Sequence, residues 1–395
     1  MELRTRRHLI WLFIAGCIVL PFASLHAEAG TKLVKCDQGM SLAKALRYAP
    51  PRTTLRVSGT CHEQITIKRD KIRLIGINGA SIDGSQLDPS KFEFNPLIRV
   101  KDARGVVIKN LQVINGPAEG LLIEGQASAK LVNLNVTNNS NVGALVDHAR
   151  VVVRDGTYSG NQGGIDLVSN AAAVLQGNIV LTNNIIFGIA AANGASIEAR
   201  GGNIDASSNQ LAGILLEGGN MAIFNFGTSV GTQIQANNNG LCGMVIVGGG
   251  FLDVVAPPPF HFTGVHQITT SNNGACGLLM TTGSKVESPF GAATFNIEGN
   301  AVGMNVTGNS NVLINGGLRV VNNLGPGLVA DGAGVLTLAP FDPGPPPALA
   351  SEISGNGGPD VVLNFGTRAT FAANVTVGSV VCDGTALARG AASCP

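Results

Sequence analysis

The chain has 395 residues, 53 of them glycine, with 5% aromatic and 13% charged residues and a formal net charge of +1 at pH 7. So few rings argue against a sugar cleft built on stacked Trp and Tyr. No stretch beyond residue 29 reaches the about 18 uninterrupted apolar residues of a membrane span.

The first 29 residues read as an export signal. Arg4, Arg6 and Arg7 precede an apolar run from Leu9 to Leu20, and Ala27 or Ala29 suits cleavage. Ile14-Ala15-Gly16-Cys17 has lipobox character, but Ile18-Val19-Leu20 carries the apolar run past the cysteine. A secreted or periplasmic protein is therefore expected ahead of a lipid-anchored one, with residues 30–395 forming a single domain.

Ser41 is a suitable N-cap for a short helix from Leu42 to about Tyr48, closed by Pro50-Pro51. This helix, with residues 30–75, forms an N-terminal cap and first coil. Strand-like runs follow at Thr54 to Val57, Ile65 to Ile67 and Ile72 to Ile75.

From there a phrase recurs: an asparagine, about four residues later a glycine, then an apolar, free, apolar triplet. It stands at Asn139 to Gly143, Asn184 to Gly188, Asn209 to Gly213, Asn239 to Gly243, Asn273 to Gly277 and Asn323 to Gly327. Repetition at a period of about 20 to 50 residues is the mark of a solenoid. Each copy holds three short extended runs and no helix. In the copy opening at Gly188 they are Ile189 to Ala191, Ala195 to Ala199 and Asn203 to Ala206. The expected fold is all-β, a parallel β-helix of about ten to twelve three-strand coils, ending in a cap at residues 376–395. The asparagines suit positive φ at the bends and an amide ladder between coils.

Six cysteines follow the leader and couple by position: Cys36 with Cys61, Cys242 with Cys276, Cys382 with Cys394. Cys242 and Cys276 each precede a phrase glycine, one strand spacing apart and within disulfide reach. Two proline-rich insertions, at 257–262 and 340–347, are expected to bulge as loops, with Phe260, Phe262 and Phe341 on one side of the rod.

Charge is unevenly spread. Residues 28–155 hold 18 Lys or Arg against 12 Asp or Glu, and residues 156–395 hold 5 against 12. The basic third, including Lys101, Lys109, Lys130, Arg150 and Arg154, offers a surface for an anionic partner, an acidic polysaccharide or envelope protein rather than nucleic acid.

The stretch LRVSGTCHEQITIKRDKIRLIGINGASIDGS and the coils through about residue 380 resemble right-handed parallel β-helix proteins of the pectate-lyase-like superfamily. That resemblance implies chemistry on anionic polysaccharides by carboxylates and a basic residue. The segments LVDHAR and GGIDLVSN resemble short phrases of pectate lyases. They imply Asp147 and Asp166 as calcium or substrate ligands and Arg154 as a base, which makes these three the catalytic candidates; His148 beside them and the cations Arg150 and Lys130 of the basic surface are the expected substrate contacts. The family's tryptophan is absent, and no Arg-x-Pro-x-x-Arg follows. Beyond possible calcium, no cofactor is expected. Three functions stay open: a monomeric, non-catalytic binding or scaffold module; a divergent lyase, epimerase or glycosidase; and an adhesin or self-associating surface protein.

Overall fold

The structure, a computed structural model, describes residues 30–88, 95–224, 231–255, 265–289, 293–315, 317–332, 334–339, 350–373 and 375–395. The proposed export signal and both proline-rich insertions lie outside the described residues, apart from the flanking positions. No described helix is long and apolar enough to cross a membrane.

The chain winds as a parallel β-helix. Its first face is a sheet of thirteen parallel strands, from Ile65–Ile67 through Ala144–Asp147, Gly163–Val168 and Ala212–Glu217 to Val380–Cys382. Among the described residues this face counts thirteen strands, close to the expected total of about ten to twelve coils. The extra ones lie where the phrase is blurred, as at Val361–Asn364, and in the segment read as a C-terminal cap, where Val380–Cys382 and Leu387–Gly390 extend the ladders. Numbering coils by these thirteen strands, Ile98–Lys101 opens coil 2, Ala144–Asp147 coil 4 and Phe187–Ala192 coil 6.

The second and third faces are joined. Four coils carry one bent strand in place of two runs: Ser128–Thr137, Arg150–Ser159, Ala172–Val180 and Ser196–Asp205. At the corner between these faces Asn110, Asn133, Asp155, Gly177 and Gly201 all adopt positive φ, between 50° and 77°. One left-handed residue turns the strand without removing it from the ladder, so a Gly-Gly that reads as a turn is a bend within a strand.

Alternation follows from strand geometry. On the first face Leu121, Ala144, Ile165, Ile189, Ile214 and Met244 stack in register and point inward, and all are at most 1% exposed. Burial of each large member contributes about 1.5–3 kcal/mol.

The corner between the third and first faces holds the asparagines. Asn139, Asn161, Asn184, Asn209, Asn239, Asn273, Asn300 and Asn323 are all at most 3% exposed. The side-chain oxygen of each from Asn161 onward accepts the backbone N–H of the asparagine one coil earlier, at 2.9–3.1 Å. Gly116 N–H donates to Asn139 at one end. At the other, Asn356 donates its backbone and side-chain N–H groups to Asp360 at 3.1 and 2.8 Å. The positive φ, however, falls one residue earlier, at Asn138, Asn183, Ser208, Asn238, Asn272 and Asn322. The bend and the buried amide are thus two adjacent jobs. The phrase glycine is required by close approach: a Cβ at Gly213 would lie 2.5 Å from the Ala206 carbonyl oxygen and 2.8 Å from that of Gly243.

The N-terminal helix is Leu42–Tyr48, capped by Ser41, whose side chain accepts Lys44 N–H at 3.1 Å. Glu63 adds bonds from Leu42 and Ala43 N–H. All three expected disulfides form: Cys36–Cys61, Cys242–Cys276 and Cys382–Cys394, with Cα separations of 5.1, 4.5 and 5.5 Å. Cys242 and Cys276 are register partners on the first face.

Replacing Asn239 with Ala leaves the Asn209 backbone N–H unsatisfied, while the Asn209 side-chain amide keeps the carbonyls of Leu181 and Ala206. At about 1–3 kcal/mol for a buried unsatisfied group, urea unfolding should show a loss of roughly 1–3 kcal/mol. A loss below that of an ordinary surface substitution contradicts the ladder's role. His266 gives a pH test. It is 2% exposed, its Nδ1 accepts Thr232 N–H at 3.0 Å, and burial lowers its pKa from 6.5 to about 4. Protonation then favours the unfolded chain, so this contribution is whole above pH 6.5 and is lost as pH falls toward 4. The loss amounts to roughly 3 kcal/mol. Unfolding of wild type against His266→Asn between pH 7 and 4 reads it, with the variant lacking that component.

Candidate functional site

Register assigns each outward residue to a column running along the rod, and the columns decide which site residues meet. On the first face one column runs Arg99, Leu122, Leu145, Asp166, Ala190, Leu215. A second runs Lys101, Glu124, Asp147, Val168. Asp147 and Asp166 thus sit on the same face of coils 4 and 5 but two residues apart along the strand. They do not form a direct cross-coil pair. Asp147 instead accepts His148 Nδ1 at 2.8 Å across the adjoining bend. His148 has φ 49°, and its side chain is 63% exposed.

Asp166 is flanked by Leu145 and Ala190 in its own column. Burial pushes its carboxyl up to about 6, with a smaller contribution from Glu217 two coils away.

Arg154, Arg150 and Lys130 lie on the second face. Arg150 and Arg154 flank Val152 on one strand, and Lys130 is the register partner of Val152 one coil earlier. These three cations therefore converge, joined by Arg73 and Lys109 on the neighbouring coils. Arg154 is on a different face from both Asp147 and Asp166, so the three residues implied by the pectate-lyase resemblance do not point into one space.

A groove of about 610 Å³ runs along the corner between the first and second faces, lined by Arg104, Gln126, Ser128, His148, Arg150 and Asn170, among others. The corner repeats a buried alanine. Ala103, Ala127 and Ala149 accept backbone N–H bonds from Ser128, Arg150 and Ala172 of successive coils. The residue after each alanine is lifted to the rim, which places Arg104, Ser128 and Arg150 side by side. Arg104 also donates to Gln126 at 3.0 Å. The sequence reading passed over Arg104 and Gln126; the recurrent alanine was the signal for both.

Ion pairing is uneven along the rod. On the first face Arg99 and Lys101 each lie 3.7 Å from Glu124. Among the described residues, Arg56, Arg73, Arg104, Lys109, Lys130, Arg150 and Arg154 have no carboxylate within ion-pair distance, whereas Arg200, Lys285 and Arg319 each hold one. The tightest grouping of possible metal ligands among the described residues is Cys36, Cys61 and Glu63. Its two sulfurs are bonded to each other, and its carboxylate caps the helix.

A charge held on an apolar strand face costs stability. The carboxyl of Asp166 is raised above its unfolded value of 3.8, so its cost is absent at pH 3.5 and complete above pH 6. Asp166→Asn should raise stability at pH 7.5 by about 1–2 kcal/mol after discounting for its partial exposure. The gain should vanish near pH 3.5, as thermal unfolding at both pH values will read. A destabilised variant at pH 7.5 would contradict this.

Residues 70–255 match the protein family described as "Right handed beta helix region". No curated protein sequence matches the chain. Among solved structures, an alginate lyase from Paenibacillus sp. str. FPU-7 is 12% identical, with 89% of this chain and 99% of that one covered and a TM-score of 0.40. The A-module of an Azotobacter vinelandii mannuronan C-5 epimerase is 13% identical, covering 86% and 93%, with a TM-score of 0.41. A surface adhesin of Streptococcus pneumoniae is 10% identical, covering 76% and 89%, with a TM-score of 0.23. The thirteen in-register parallel strands of the first face and the family match identify the fold as a right-handed parallel β-helix.

Proposed function

We propose that the protein is exported and binds an acidic polysaccharide, without cleaving it, in the corner groove of coils 2 to 5. The observation that carries this reading is the set of seven cations, Arg56 through Arg154, that lack carboxylate partners among the described residues. Further along the same face Arg200 holds Glu198 and Lys285 holds Glu287. Leaving seven on adjoining surfaces costs mutual repulsion that an external polyanion relieves. Arg104 and Arg150 supply planar donors suited to carboxylates or sulfates, and Gln126, Ser128 and Asn170 supply hydroxyl-binding groups. The dispersal of Asp147, Asp166 and Arg154 favours binding over catalysis, and the three disulfides suit an oxidising compartment.

One observation favours the second reading, a divergent polysaccharide-active enzyme. The raised carboxyl of Asp166 has the protonation behaviour of a general acid near neutral pH. New unsaturated or reducing ends from a polyuronate, lost in Asp166→Asn, would establish that reading.

The binding reading predicts that the mature protein retains polyuronates and ignores a neutral glucan, with affinity falling steeply between 50 and 300 mM NaCl, roughly the range over which screening shortens below 10 Å. Arg104→Ala with Arg150→Ala should weaken polyuronate binding about tenfold, since two exposed ion contacts contribute at most about 1 kcal/mol each. Salt-independent affinity, or an unchanged double variant, contradicts it.

A further inference from the structure

The second face carries a pattern that extends beyond the unpaired cations on which the glycan reading rests. Its central outward column runs Arg73, Val107, Lys130, Val152, Val174, Glu198, Ala222, Asp253 over coils 1 to 8. The column is basic at one end, apolar in the middle and acidic at the other. It is also self-complementary about its midpoint. Turned about a two-fold axis passing between Val152 and Val174, the first residue meets the eighth and the second meets the seventh. Arg73 then faces Asp253 of the other copy, Val107 faces Ala222, Lys130 faces Glu198, and Val152 faces Val174.

The flanking columns agree. Because the two faces oppose each other, the axis lies in the plane of contact along the strands, and each flanking column meets its own counterpart in reversed coil order. In the column of Lys109, Val132, Arg154 and Gln176, Arg154 then faces Gln176 of the other copy, and Val132 lies opposite Arg200, which already holds Glu198. In the column of Ser128, Arg150, Ala172 and Ser196, Arg150 faces Ala172 and Ser128 faces Ser196. Among these pairings no like charges meet.

We propose that this face is the interface of an antiparallel homodimer, in place of the monomer expected from the sequence. An isologous contact of this kind needs each patch to complement itself under a two-fold rotation, which the column does at all eight positions. Eight coils at about 4.8 Å and five strand residues at about 3.3 Å give a patch of ~600 Å² per copy. That is ~1,200 Å² in all, at the low end of specific interfaces. The dimer is therefore weak, concentration-dependent and weakened by salt. The pairs nearest the axis, Val152 with Val174 and Lys130 with Glu198, dominate it. The inference stands on this pairing and does not require the glycan reading, although both use Arg73 and Lys130; a polyanion reaching Lys130 competes with the partner copy.

Charge reversal tests it. Sedimentation velocity of the mature protein at ~100 μM and 20 mM NaCl should show a monomer–dimer equilibrium that shifts to monomer by 500 mM NaCl. Lys130→Glu and Glu198→Lys should each raise the dimer dissociation constant at least tenfold. The double variant K130E/E198K, which restores an unlike pair across the axis, should recover the dimer. Circular dichroism confirms that each variant is folded. As a second route, Val152→Cys mixed with Val174→Cys under mild oxidation should form a mixed disulfide dimer, and neither variant alone should do so to a comparable extent. A monomer at low salt, no rescue in the double variant, or no preference for the mixed disulfide overturns the proposal.

Discussion

Every surface column in this protein depends on one buried interaction: the asparagine oxygen that takes the backbone N–H of the coil before it. From Asn139 to Asp360 the bonds run without a break, along a corner that is buried from Asn139 through Asn323. A coil displaced by one residue would orphan at least one buried donor and turn its apolar side chains outward, a combined cost no single coil offsets. The ladder therefore fixes which residue stands above which. The charge columns outside it are a consequence.

Once register is fixed, the sorting of charge becomes a statement about function. The first four coils raise arginine and lysine on the second face and at its leading corner, without carboxylates to answer them. From coil 6 onward the same face carries Glu198, Asp253 and Glu287, with Arg200 and Lys285 paired to the first and last of these. A rod built for packing alone gains nothing from such a division. An anionic polymer at one end, and a second copy along the face, are the two partners that this arrangement of charge answers.

Much of this was legible because a stacked fold repeats its constraints. The Asn-to-Gly phrase exposed the coils, the spacing of Cys242 and Cys276 exposed their disulfide, and Ser41 marked its helix. Two features were misplaced for a physical reason. Positive φ and amide burial both favour asparagine, so the adjacent pair Asn138-Asn139 looks like one role repeated when it is two roles side by side. Gly201-Gly202 looks like a loop because a left-handed residue inside a continuous strand leaves no local mark to tell it from a turn. Site geometry was partly recoverable: counting from Gly143 and Gly164 sets Leu145, and not Asp147, beside Asp166. What no count supplies is the direction of the bend after Asp147, which sends His148 and Arg150 onto a different side of the rod from Asp166.

The most direct test of the whole account is amide hydrogen exchange of the secreted protein with and without a saturating polyuronate. Protection should rise at the corner and second face of coils 2 to 5, in peptides spanning residues 103–109, 126–132 and 148–154, and stay unchanged over 163–168 and 212–217. New protection confined to those last two segments, around Asp166 and Glu217, would contradict the account and place the ligand on the first face.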